Sequence, residues 1–71
     1  MTKKILIEGM SCNHCVNHVK EALEELNGAT KATVDLDTKS AVLEASRDIE
    51  DEAIKSAIDE AGYDVVNIQV L

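Results

Sequence analysis

Proline, phenylalanine and tryptophan are missing from this 71-residue chain, which holds 1 Tyr, 3 Gly and 2 Cys. Each scarcity excludes something. With no Pro and so little Gly there is no linker or low-complexity tract to divide the chain, so residues 1–71 read as one domain. Without sheet aromatics the base-stacking platform of RNA-binding modules cannot be built. No apolar run approaches the roughly 18 residues that cross a bilayer. The opening "MTKKILIEG" turns acidic too soon for a secretory signal, so the expected location is cytoplasmic, without direct membrane insertion. Basic residues are scarce as well. Fourteen Asp and Glu against seven Lys and Arg leave a formal net charge of −7. That balance repels nucleic acid and anionic lipid and makes a basic protein surface the fitting partner.

What is present is a patterned apolar fraction of 45%, enough for a thin core in a chain that buries only about 60% of its unfolded surface. "KKILIE", residues 3–8, alternates as a strand with Ile5 and Ile7 on one face, and Gly9 then breaks the pattern. From about Asn13 the period changes, and Val16, Val19, Leu23 and Leu26 form a helical stripe stopped at Asn27-Gly28. Ala32, Val34 and Leu36, then Ala41, Leu43 and Ala45, form a hairpin about the polar turn Asp37-Thr38-Lys39. Asp48 suits an N-cap, and Ala53, Ile54, Ala57, Ile58 and Ala61 form a second helical stripe ending at Gly62. "DVVNIQVL" closes the chain as a strand with Val66, Ile68 and Val70 expected inward. The carboxylates of Glu21, Glu24, Glu25, Glu50, Asp51, Glu52, Asp59 and Glu60 fall on expected outer helix faces, as solvated charge or as partner-steering charge.

The order βαββαβ, with right-handed crossovers, predicts an α+β ferredoxin-like sandwich: a four-stranded antiparallel sheet with two helices on one face. That architecture hosts many activities, so function has to be argued from a site.

The chemistry-bearing stretch is "EGMSCNHCVNHV", where Cys12 and Cys15 flank Asn13-His14 just ahead of the first helix. A disulfide there would close a loop too short to remove much entropy from the unfolded chain, and the cytoplasm is reducing. A structural zinc site wants four ligands; Cys12, Cys15, His14 and His18 supply the number, crowded into one turn, and His14 would have to fold back between the cysteines. A Cys-x-x-Cys beside a βαβ unit also signals thiol-disulfide chemistry. Thioredoxin-like oxidoreductases, however, resemble one another in a Pro or aromatic residue near the cysteines and a facing cis-proline, and this chain has no Pro. A soft monovalent ion such as Cu(I) accepts two thiolates and little else. One Cu⁺ on two thiolates is an anion, and a helix N-terminus with its unpaired N–H groups stabilises it.

"GMSCNHC" resembles the Gly-Met-x-Cys-x-x-Cys motif of heavy-metal-associated domains, the family of cytosolic copper chaperones and of the metal-binding domains of copper-transporting P-type ATPases. The likeness runs through the βαββαβ order to "AGYDV" before the last strand. It implies a non-enzymatic cytosolic copper chaperone, with Cys12 and Cys15 as Cu(I) ligands and transfer to a copper-transporting P-type ATPase by thiolate exchange. It implies also that Met10 is a buried anchor of the loop, which agrees with Met as a flexible core plug rather than a thioether ligand. His14 resembles the His that bacterial copper chaperones often carry before the second cysteine, which gives it a modulating role; otherwise it is an exposed first-turn histidine, as His18 is expected to be. Tyr63 resembles the Tyr of bacterial chaperones that faces the metal, where eukaryotic chaperones tend to have Lys; its plain alternative is closing one end of the core. The resemblance also accommodates an N-terminal metal-binding domain of such an ATPase, a mercury-binding relative, and a homodimer bridged by copper. From a different class, the cysteine pair accommodates a small redox protein.

Overall fold

A computed structural model describes residues 1–11 and 13–71, with Asn13 by its backbone. The elements follow in the order β1 (Thr2–Glu8), α1 (Asn13–Glu24), β2 (Ala29–Asp35), β3 (Ser40–Ala45), α2 (Asp51–Glu60) and β4 (Asp64–Val70). The strands form one sheet in the order β2-β3-β1-β4, with every neighbouring pair antiparallel. This is the ferredoxin-like sandwich that the patterning predicts.

Alternation along β1 sets the layer. Lys3, Ile5 and Ile7 are buried, whereas the residues between them are only partly covered. In register with Ile5 lie Ala41 on one side and Ile68 on the other, and Val34 continues that row beyond Ala41. Onto this face pack Val19 and Leu23 of α1 and Ile54 and Ile58 of α2, all 0% exposed. Spacings of four residues bring each pair to the same helix face. α1 lies against β2 and α2 against β4, with the two helices in mutual contact.

Two expectations change. β4 does not bury Val66 and Val70, which are 58% and 74% exposed. Its register against β1 slips between Leu6 and Ile7: Leu6 faces Asn67 while Ile7 faces Val65, so Val66 is the extra residue of a β-bulge. Val65 thereby takes the core position opposite Ile7, and Val70 lies beside Lys3 at the margin of the sheet. Nor is Asp48 the N-cap of α2; Glu50 occupies that position with extended backbone (φ −65°, ψ 146°) and without a side-chain capping hydrogen bond. The reason is Ile49, 5% exposed, which is drawn into the core just ahead of the helix.

Lys3 explains how that junction is held. Its side chain crosses the inner face, and Nζ donates to the Ile49 carbonyl at 2.7 Å and to Asp51 Oδ1 at 2.9 Å. A buried ammonium without partners would be costly. Here the charge ties the start of β1 to the start of α2, at the end of the sheet remote from the β1–α1 junction.

Candidate metal site

β1 ends at Glu8, and the chain turns through Gly9, whose φ of +97° is a left-handed value that side chains disfavour. Met10 then drops into the core at 3% exposure, and Ser11 returns to the surface. The turn therefore hangs from an apolar anchor on one side and from β1 on the other. Cys12, the first expected ligand, lies outside the described residues. Cys15 stands in the first turn of α1, half-buried and packed against the same apolar cluster that takes in Met10.

The electrostatics of that turn differ from those of the second helix. α2 opens with Asp51 and Glu52, carboxylates that answer its positive N-terminal pole, whereas the first turn of α1 carries no acidic side chain. Cys15 thus stands at an α1 pole that no carboxylate side chain answers, a place where dipole and unpaired N–H groups favour an anion. 

Tyr63 approaches the turn after β1 from the other half of the molecule. α2 ends at Ala61, and the chain reverses through Gly62 at φ +96°. The Tyr63 amide donates to the Ile58 carbonyl at 3.1 Å. This sets the half-buried ring against Gly9: a Cβ placed on Gly9 would sit 3.4 Å from Tyr63 Cδ1. The resemblance alone pointed Tyr63 towards the motif; the contact with Gly9 itself could not be read from composition or periodicity. His14 is exposed in the first turn of α1, and His18, one turn on, is exposed beside the groove between the helices lined by Glu21, Glu25 and Glu60. Among the described residues, no three His, Cys, Asp or Glu side chains converge as a metal site. The structure thus buries Met10 in the core, packs Cys15 and Tyr63 against that core, and leaves both histidines in solvent.

Residues 4–64 match the heavy-metal-associated domain family, a span that includes the entire cysteine motif and Tyr63. The chain belongs to that family. The copper chaperone CopZ of Staphylococcus haemolyticus (strain JCSC1435) is 46% identical over 66 residues, covering 92% of this chain and 97% of its own. The copper chaperone CopZ of Staphylococcus epidermidis (strain ATCC 12228) is 48% identical over 67 residues, covering 92% and 98%. Among solved structures, a CopZ metallochaperone has a TM-score of 0.87 at 34% identity over 93% of this chain and 100% of its own. A copper-binding domain from HMA7, a P-type ATPase, has a TM-score of 0.81 at 33% identity over 100% of this chain and 95% of its own. In this heavy-metal-associated domain β1, one of the two inner strands, leads through Gly9 into the buried Met10, with Tyr63 lying against Gly9. No helix among the described residues is long and apolar enough to cross a membrane.

Proposed function

We propose that this heavy-metal-associated domain is a cytoplasmic copper chaperone: it carries Cu(I) on Cys12 and Cys15 and delivers it to a copper-transporting P-type ATPase. The observation that carries the proposal is the position of Cys15 in a first helical turn without carboxylates, inside a motif whose relatives are named copper chaperones. Two thiolates suit a soft d¹⁰ cation, and the α1 pole stabilises the anionic unit they form with it. Met10 anchors the turn in the core, and the Tyr63 ring packs against Gly9 on the α2 side.

Transfer follows from low coordination. A cysteine thiol of the partner gives up its proton to solvent, and the resulting thiolate adds to the ion as a third Cu–S bond. One bond to Cys12 or Cys15 then breaks, the released thiolate takes up a proton, and a second exchange completes the handover. Copper stays Cu(I) throughout, and no oxidant or reductant is consumed. A closed four-ligand cage would offer no open position for the first step. The likeness to the HMA7 domain favours a second reading, in which the same site belongs to the receiving end of such a transfer.

The test is an anaerobic Cu(I) titration against a competing chelator. Cys12→Ser and Cys15→Ser should each give up the metal to a chelator that the parent resists, with unchanged circular dichroism, because the apolar core is complete without metal. Full affinity in either variant would contradict the assignment. Disulfide reductase activity in the metal-free protein would move the cysteine pair to the redox class.

A further inference from the structure

The chain has four asparagines, and one of them stands before a glycine. Asn13 and Asn17 precede His14 and His18, Asn67 precedes the β-branched Ile68, and Asn27 precedes Gly28. The difference is chemical. The backbone nitrogen of a following residue can attack an asparagine carboxamide, and a side chain on that residue obstructs the approach. Before Gly28 the path is open.

The fold leaves the two reacting groups of that pair uncommitted. α1 ends at Glu24, and Asn27 lies exposed in the turn that leads to β2. Among the described residues its carboxamide makes no hydrogen bond, and the Gly28 amide donates to no carbonyl. The bonds that hold the turn run through other atoms. The Ala29 amide donates to the Leu26 carbonyl at 3.0 Å, and the Gly28 carbonyl accepts from the Ser46 amide at 2.8 Å and the Ser46 hydroxyl at 3.2 Å. Asn67, by contrast, is held within β4 in register with Leu6 of β1.

A counter-charge stands beside the pair. Asn27 and Arg47 line one open cavity of about 500 Å³, together with Asp48 and Glu50. The Arg47 side chain lies across Gly28: a Cβ built on that glycine would sit 2.8 Å from Arg47 Cδ and 3.2 Å from Nε. Among the described residues no carboxylate comes within ion-pair distance of its guanidinium.

We propose that Asn27 is a site of spontaneous modification in the folded protein, passing through a cyclic imide to aspartate and to its β-linked isomer. The Gly28 N–H gives its proton to hydroxide, and the nitrogen forms a bond to Asn27 Cγ. The Cγ–Nδ2 bond breaks, and Nδ2 leaves as ammonia with a proton taken from water. Water then adds to either imide carbonyl. Opening at Cγ restores the ordinary backbone with an aspartate side chain, and opening at the backbone carbonyl leaves the chain running through Cγ. Nothing is oxidised or reduced.

The two products meet the structure differently. The α-linked aspartate puts a carboxylate beyond the end of α1, whose last turn carries no basic side chain, and Arg47 is the cation placed to answer it. The β-linked form lengthens the path from Leu26 to Ala29 by one backbone atom, so the bond that closes the turn is lost. Both changes fall at the end of α1 remote from Cys15, and the helix spans about 18 Å over its 12 residues. The modification therefore alters the α1–β2 turn and is independent of the proposed copper chemistry.

The test holds the metal-free protein, in reductant and chelator, in mildly alkaline buffer. Samples are resolved by anion exchange, and each fraction is mapped by peptide mass and by labelling with isoaspartyl methyltransferase. Expected is a fraction with one negative charge beyond the formal −7, its change mapped to Asn27, forming at a rate that rises with hydroxide. Asn27→Asp marks where the α-linked product elutes. Asn27→Gln, at an exposed position, should stay homogeneous, because the longer side chain disfavours ring closure. The β-linked fraction should unfold at lower urea than Asn27→Asp. The inference is overturned by a folded sample that stays homogeneous while the same chain in urea converts, by a first change at Asn13, Asn17 or Asn67, or by a β-linked fraction with the parent's urea midpoint.

Discussion

At the scale of residues, the site depends on Gly9 more than its bare backbone suggests. Its φ of +97° is a value at which a side chain strains the chain, and Tyr63 lies against the space a side chain would enter. Gly9→Ala should therefore cost about 1–2 kcal/mol, the usual penalty for a left-handed residue, read as a lower urea midpoint with unchanged slope. The same variant should weaken Cu(I) retention, because the turn that positions the cysteines is strained with it. An unchanged midpoint would mean that the turn relaxes and does not hold the motif. Lys3 is the complementary case of a residue whose role was invisible in sequence. A lysine near a chain start reads as solvated, yet here it is buried and joined to Ile49 and Asp51. Only the tertiary approach of β1 to the start of α2 creates that environment.

At the scale of elements, β4 supplies the sharpest contrast. Val65 packs on the core opposite Ile7, whereas Val66 is the bulged residue and exposed. Val65→Ala should cost about 1 kcal/mol or more in lost apolar burial, and Val66→Ala should stay within about 0.5 kcal/mol, as exposed positions do. Chemical denaturation of the two variants side by side checks this, and equal losses would contradict the register. Period-two alternation located the strand but not the bulge, because inserting one residue shifts which valine faces inward without changing composition. The helices were legible for the opposite reason. Val16, Val19, Leu23 and Leu26, then Ile54, Ala57, Ile58 and Ala61, recur at the mixed spacings of three and four that a period-two strand would not keep, and Val19, Leu23, Ile54 and Ile58 are buried. The start of α2 was not, since Asp48 has the chemistry of a cap while the core's demand for Ile49 moves the helix start to Glu50. Of the site, the motif and its place between β1 and α1 were plain in the sequence. The approach of Tyr63 to Gly9 required the fold to bring the two ends of the chain together.

At the scale of the whole molecule, charge sets the terms of encounter. The exposed carboxylates of α1 and α2, among them Glu21, Glu24, Glu25, Asp59 and Glu60, give the helical face a negative field. Transfer of Cu(I) to a partner with a basic docking surface should slow several-fold as salt is raised, since screening removes long-range steering first. Stopped-flow transfer at increasing ionic strength measures it, and a salt-independent rate would argue against steering. One contiguous apolar cluster joins sheet and helices, so the fold is expected to persist in chelator, read as unchanged circular dichroism. The proposed site holds copper with too few ligands to trap it, and X-ray absorption of the anaerobically loaded protein tests that most directly. Expected is Cu(I) with two or three sulfur neighbours. A four-coordinate centre, or nitrogen and oxygen in place of sulfur, would contradict it.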